Sequence, residues 1–381
     1  MKPKVLFLSS WYPSKHKPTE GNFVQQQAKA AAHIAAVELI YVVLSDQHQH
    51  IECQTQTGAF NEQVFYIPKN NWPILHFFIN YFLIFRTYWK ASSNLRFGKP
   101  DLIHASVMYP IGFIGLMLKW RFKIPLVMTE HWTCYHEQAS PQPSKWQSFW
   151  LNWIGKRVDL VLPVSTDLAA AMYRYGIDTP MKVIPNAIDT TLFSTSNKNK
   201  KRVFRFLHVS SLDEAQKNFN LLLRAFRRLK LQQADVELHV VSDGNARPYQ
   251  EKIAPFDFAS SVHFHGAQDA EGVHALLSFC DVFVLPSRFE NLPCVLIESL
   301  STGTPMIASA VGGVAEIVNP TNGMLVPSED EDALLAALIS IQQQRFDAEQ
   351  MHQEAERKYS YQAVAQLMQQ AYSQVLQPNV A

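Results

Sequence analysis

The sequence lacks most of the features that announce a function by themselves. Its charge is almost balanced, with 34 Lys and Arg against 33 Asp and Glu, a formal net of +1. That balance offers no electrostatic footprint for nucleic acid, although a local basic pocket for phosphates stays open. Only four cysteines occur, Cys53, Cys134, Cys280 and Cys294, and none stands in a CxxC pair. They read as structural thiols of a reducing cytosol. No GxGxxG follows the first apolar run, which disfavours a dinucleotide-dependent dehydrogenase. No Asp-x-Asp motif or His/Asp cluster with metal-ligand spacing stands out, so neither a metal nor another cofactor is expected. No secretory signal is visible. Met1-Lys2-Pro3-Lys4 precedes only the short run Val5 to Leu8, which reads as a buried first strand.

What is present is a long, well-mixed chain. Its 381 residues are too many for one ordinary core and favour two domains. With 47% hydrophobic and 18% charged residues, a sizeable core can be buried. In the first half, apolar runs at Val5–Ser9, Val37–Leu44, Leu102–His104, Leu126–Thr129 and Leu160–Val164 alternate with helical stretches at Gln25–Ala36, Gly112–Trp120 and Thr166–Tyr175. Such alternation is the pattern of a parallel sheet covered by helices. Gly176, Pro180, Pro185 and Asn186 then punctuate the chain as a linker would, and the polar run Ser194–Arg202 follows as a solvated loop.

The alternation restarts beyond it. Strands are predicted at Phe204–Val209, Glu237–Ser242, Val262–His265, Val282–Pro286 and Met306–Ala308. Helices are predicted at Phe219–Leu231, Gly272–Phe279, Cys294–Thr302 and Asp330–Gln343. The expected architecture is therefore α/β, with two Rossmann-like doubly wound units in series, residues 1–180 and 181–360. A last helix, 361–377, carries an apolar stripe of Val364, Leu367, Met368, Ala371, Tyr372 and Val375. One segment stands apart. Trp72 to Trp89 is very aromatic, but too short and too interrupted by His76, Asn80 and Arg86 for a membrane span. It reads first as a core helix of the first domain. The other reading is an interfacial surface near Lys90 and Arg96 that docks on a bilayer.

In open parallel sheets, ligands sit beyond the carboxyl ends of the strands, so the chemistry is sought there. Pro286 ends a strand, Ser287 to Pro293 form a polar turn, and a helix begins near Cys294. Unpaired N–H groups at such a helix start cradle a diphosphate. Glu290 and Glu298 flank this junction; carboxylates repel phosphate and suit sugar or ribose hydroxyls instead. A second strand-to-loop junction, Phe206 to Asn218, carries Lys217, a cation suited to charge growing on a leaving diphosphate, with Asn220 as the expected helix cap. In the first half, His131 follows a strand in Thr129-Glu130-His131-Trp132. It suits a sugar hydroxyl or a positive reacting carbon; a lone His there is more often structural. His104 reads chiefly as core packing. Gly21 and Asn22, in the loop after the first strand, allow backbone to approach a ligand.

Taken together these segments resemble the retaining glycosyltransferases of family 4, which have the GT-B fold. Val164-Ser165 with Lys182 to Asp189 is similar to that family's interdomain stretch. Ser287 through Glu298 is similar to its E-x7-E motif, and Gly303-Thr304-Pro305, Gly312-Gly313 with Glu316, and Asn322 to Val326 follow in order. The resemblance implies two domains facing a cleft and a nucleotide-diphosphate sugar as donor. It implies that Glu298 binds the donor ribose and Glu290 the transferred sugar. Lys217 and the backbone of Asn291, Leu292 and Pro293 would hold the diphosphate, and His131 would touch the sugar. The loop from His263 to Gly266, with His265, would receive the base, and the last helix would cross back to the first domain. Two departures stand out. The family's Gly-Arg step is Ser210-Ser211 here, so one diphosphate cation is missing, with Arg288 as its candidate replacement. The glycine pair of the first loop is only Gly21-Asn22.

The implied acceptor is a glycan, a lipid-linked saccharide or a small molecule in cell-envelope synthesis, with the enzyme cytoplasmic, at the inner face of the membrane. Rival readings are a nucleotide-sugar epimerase of the same fold and a non-catalytic nucleotide-sugar binder.

Overall fold

The computed structural model describes residues 2–71, 75–136, 139, 142–195 and 203–377. The polar run's residues 196–202 and the aromatic segment's residues 72–74 lie outside the described residues. The chain divides into two compact units. The first comprises Met1–Trp132, Pro143–Ala187 and Tyr361–Ala381; the second comprises Thr133–Gln142 and Ile188–Ser360. The units thus part at Ala187/Ile188, a few residues past the expected 180/181.

Among the described residues the first unit holds seven strands: β1 (Lys4–Ser9), β2 (Ala36–Ser45), β3 (Glu52–Thr57), β4 (Asn61–Pro68), β5 (Leu102–Ser106), β6 (Leu126–Glu130) and β7 (Leu160–Pro163). Their order is β3-β4-β2-β1-β5-β6-β7. All neighbours run parallel except β3 and β4. Central strands such as β1, KVLFLS, are buried along nearly their whole length, which explains their unbroken apolar runs. β3, ECQTQT, is an exposed edge strand whose polar sequence gave no strand signal.

The last helix, Tyr361–Leu376, packs in this unit's core with the helix Asn22–Ala32, and all six stripe residues reach that core. His104 is the hinge of that packing. Its Nδ1 lies 2.7 Å from the Tyr372 hydroxyl and its Nε2 2.6 Å from Thr129 Oγ1. Burial holds its ring neutral down to about 3.

The aromatic segment becomes a helix, His76–Ala91, but not the core helix of the first expectation. Its buried residues are Asn80, Thr87, Tyr88 and Ala91, while Phe77, Phe78 and Phe82 are 54%, 70% and 64% exposed. No helix among the described residues is long and apolar enough to cross a membrane.

Among the described residues the second unit has six parallel strands: β8 (Phe204–Val209), β9 (Val236–Val241), β10 (Val262–Phe264), β11 (Val282–Leu285), β12 (Met306–Ser309) and β13 (Gly323–Val326). They lie in the order β10-β9-β8-β11-β12-β13. In both sheets the order reverses beside the first strand, β1 or β8. The loops after β1 and β5, and after β8 and β11, are therefore the natural ligand loops.

Candidate active site

In the second unit the two switch-point loops meet. After β8 the chain turns through Leu212 at φ 56 into a short helix, Glu214–Lys217, which Asp213 caps through Ala215 N–H. Asn218, left-handed at φ 51, joins it to the helix Phe219–Gln232. Asn220, the expected cap, instead lies inside the first turn and takes the Lys252 ammonium at 2.6 Å.

This geometry leaves Lys217 at the end of the short helix, aimed at the loop after β11. Its Nζ lies 2.5 Å from Glu290 Oε1, and both side chains are largely buried. Ser287 Oγ donates to the same oxygen at 2.8 Å, and Gln216 Nε2 reaches the Phe289 carbonyl at 3.3 Å. Burying a carboxylate costs much unless it is hydrogen-bonded and paired, and Glu290 has both kinds of partner. The adjoining turn is held from the other side: His136 Nε2 lies 2.8 Å from Asn291 Oδ1, and both residues are buried. Sequence alone gives Ser287, Gln216 and His136 no site role, because only the meeting of separate loops supplies one.

The helix Cys294–Ser301 opens directly after this turn. Its N-cap is Pro293, so no side chain caps its first turn. Proline has no N–H, which corrects one expectation: Pro293 cannot donate to a phosphate and instead sets the helix entry. Leu292 is buried beside it. One helical turn on, Glu298 is half-buried, and loss of water around it pushes its carboxyl up to about 7. Burial, then Glu298, and more weakly Glu290 push the Cys294 thiol up, while Lys217 opposes them. The thiol thus feels all three charged groups, which share one neighbourhood.

The position of the missing cation is now concrete. Ser211 is exposed and carries no charge. Its carbonyl packs so closely over Gly244 that a Cβ there would stand 1.9 Å from the oxygen. Arg288, the candidate replacement, has other partners. Its guanidinium is committed to the Glu214 carbonyl, to Asn218 Oδ1 at 2.7 Å and to Glu329 at 2.5 Å, so it braces the Lys217 helix. At the base loop, His265 N–H donates to the Val240 carbonyl, and the His265 carbonyl accepts from Gln268 Nε2. Both backbone groups of His265 therefore already serve the fold. One Asp-x-Asp string does exist, Asp330-Glu331-Asp332. Asp330 caps a helix there, while Glu331 and Asp332 pair with Arg228.

The first unit brings its own candidates together. His131 lies against the Phe23 ring, with centroids 4.2 Å apart, and Trp11 meets both Phe23 and Trp132 edge-on. The loop of Gly21 and Asn22 therefore adjoins His131. Burial, helped slightly by His104, holds His131 neutral down to about 3, so at neutral pH it offers an imidazole rather than a cation. Gly21 sits at φ 69, and a Cβ there would meet the Trp11 carbonyl carbon at 2.4 Å. The close approach that this glycine permits is to the chain's own backbone. Asn22 begins the helix and is exposed, its Oδ1 accepting from Gln26. Glu130, to which the sequence assigns no role, organises this loop. Fully buried, it accepts from His131 N and Trp132 N at 2.8 Å and from Met108 N at 3.0 Å.

Comparison with known proteins matches the same segments. The "Glycosyltransferase Family 4" model matches residues 27–192, and the "Glycosyl transferases group 1" model matches residues 203–344. An MMP α-(1→4)-mannosyltransferase of Mycolicibacterium hassiacum is 26% identical over 64% of this chain, a stretch spanning 62% of that relative's own length. Bacillus subtilis TuaC, assigned as a glycosyltransferase of teichuronic acid biosynthesis, is 25% identical over 91% of this chain and 90% of its own. Among solved structures, sucrose-phosphate synthase from Thermosynechococcus elongatus superposes with a TM-score of 0.80 at 21% identity, covering 97% of this chain and 98% of that one. Anabaena HepE, solved with UDP-glucose, gives 0.73 at 20% identity over 98% and 100%. The two models between them account for both units and the fold matches GT-B enzymes, so this chain belongs to the group 1, family 4 glycosyltransferases.

Proposed function

We propose that the chain is a retaining transferase that moves a hexosyl group from a nucleotide-diphosphate sugar to a hydroxyl of a glycan, lipid-linked or small-molecule acceptor. Its setting is cell-envelope polysaccharide or glycoconjugate synthesis on the cytoplasmic side of a membrane. One observation carries the reading: the Lys217–Glu290 pair, at 2.5 Å, stands at the entry of a helix with no side-chain cap. A cation and helix-start N–H groups suit a departing diphosphate, and a carboxylate held in place suits the hydroxyls of the sugar. HepE binds UDP-glucose, which supports the donor class, and the TuaC likeness supports the envelope setting.

In this mechanism the anomeric C–O bond to the diphosphate breaks first. Lys217 and the amides at the start of Cys294–Ser301 stabilise the leaving charge. Glu290 orients the sugar and Glu298 holds the ribose. The acceptor hydroxyl attacks from the side of the departing group and loses its proton to a phosphate oxygen, so configuration is retained. No metal takes part, and added Mg2+ or Mn2+ leaves the rate unchanged.

The test is a panel of UDP-, GDP- and ADP-hexoses with lipid-linked and soluble saccharide acceptors, read by proton NMR of the new anomeric centre. The expected product keeps the donor's anomeric configuration. An inverted product sinks the mechanism. Conversion of the donor to an isomer without acceptor would mark an epimerase instead.

A further inference from the structure

The edge of the second unit's sheet carries a group of side chains that the proposed reaction does not use. Glu237 and His239 lie two residues apart on β9 and so face the same side. β10 pairs parallel with β9 and sets His263 directly beside His239. One possible ligand atom from each of the three lies within 4.8 Å of the others. His239 Nε2 is 3.4 Å from Glu237 Oε2, and His263 Nε2 is 4.0 Å from Glu237 Oε1. Ligands at about 2.0–2.1 Å from a tetrahedral ion stand roughly 3.3 Å apart. The first pair already has that spacing, and a small side-chain movement brings His263 to it. His239 is buried, and the other two are half-buried.

The surroundings fit the same chemistry. His239 Nδ1 lies 2.9 Å from His265 Nε2. A partner on the far ring nitrogen fixes the tautomer of a ligating imidazole and directs its lone pair at the ion. Arg205 Nε meets Glu237 Oε2 at 3.0 Å and so fixes the carboxylate with Oε2 towards His239 and Oε1 towards His263. Two imidazoles and one carboxylate select a transition ion over Mg2+ or Ca2+. Parallel strand pairing, not sequence spacing, assembles the set, so no spaced motif reveals it.

We propose that Glu237, His239 and His263 bind one divalent transition-metal ion of the Zn2+ class, with His265 as the outer partner that orients His239. The ion ties the three-residue edge strand β10 to β9 and steadies the turn at His265-Gly266. The three ligands lie on β9 and β10 rather than on the segments that carry Lys217 and Glu290, and the proposal does not depend on the glycosyltransfer mechanism.

The experiment is Co2+ titration of the full chain by visible absorption, with Zn2+ competition and thermal melting. One Co2+ per chain with tetrahedral d–d bands is expected, displaced by Zn2+, with a higher melting temperature in either ion. H265Q should weaken binding about 10–100-fold, the usual cost of losing an outer partner, and H263Q more than that. E237Q carries the same arm should H263Q fail to fold by circular dichroism. H48Q is the control, because His16 and His48 with Glu52 form another histidine pair in the first unit. Binding should survive H48Q. Absence of both bands and thermal shift overturns the proposal. So does binding that survives H263Q and E237Q, or that is lost in H48Q.

Discussion

Lys217 and Glu290 hold each other, so a change at either one has two consequences. Removing the lysine takes away the cation proposed to meet the diphosphate. It also strands a buried carboxylate, although Ser287 Oγ still donates to it at 2.8 Å. Lys217→Ala is therefore expected to lower kcat by about 10²–10³ and to lower the melting temperature as well. Glu290→Gln should lose more turnover with a smaller stability penalty, because its amide still accepts from Ser287. Steady-state rates at saturating donor, paired with melting curves, check both. Ser211 invites the opposite experiment. It is exposed, and Arg288 is committed elsewhere. Ser211→Arg should therefore tighten nucleoside diphosphate binding, and unchanged affinity by calorimetry would show that this position does not face the phosphates.

At the scale of elements, the helix His76–Ala91 is the misfit. Phe77, Phe78 and Phe82 point outward while Asn80 and Thr87 are buried. Scattered exposed aromatics are common, but a clustered trio on one helix marks a binding surface. Arg86 and Lys90 on the same helix suit anionic headgroups. The Phe77→Glu/Phe78→Glu double variant should stay folded and lose co-sedimentation with anionic liposomes that the wild type shows; negligible pelleting of both removes the membrane proposal. This helix also shows where sequence legibility ended. Strands with unbroken apolar runs, such as β11, Val282–Leu285, are legible to within a residue, because burial on both faces leaves a pattern within the segment itself. β3 was missed because an exposed edge strand has no buried face to pattern. β13 was missed because four residues beginning with Gly323 are too few to show periodicity. The site divides in the same way. Lys217 and Glu290 stand at strand-to-helix junctions that a single segment displays. The work of Glu130, Gln216 and His136 exists only once distant loops meet.

For the whole molecule, the buried titratable groups make a prediction about acid. His104 and His131 stay neutral down to about 3, and His208 down to about 4, in each case chiefly through burial. Unfolded, each histidine binds a proton near 6.5. Below that pH the unfolded chain binds more protons than the folded one, so stability falls as pH falls, through a window reaching down to about 4 or 3. Glu298 has the opposite sign. Its carboxyl, raised to about 7, keeps its proton when folded and loses it when unfolded, so its contribution to stability falls as pH rises from about 4.5 to 7. Between 6.5 and 4.5 three histidines oppose one glutamate, and the histidines win. The melting temperature should therefore drop on acidification through that range. His104→Asn should flatten the slope, since an amide retains hydrogen bonding to Tyr372 or Thr129 without a proton to gain. Glu298→Gln should steepen it and raise stability at pH 8. A melting temperature flat between pH 7 and 5, with no change in either variant, would mean that these groups are not buried as neutral species and that the core around His104 is wetter than its packing indicates.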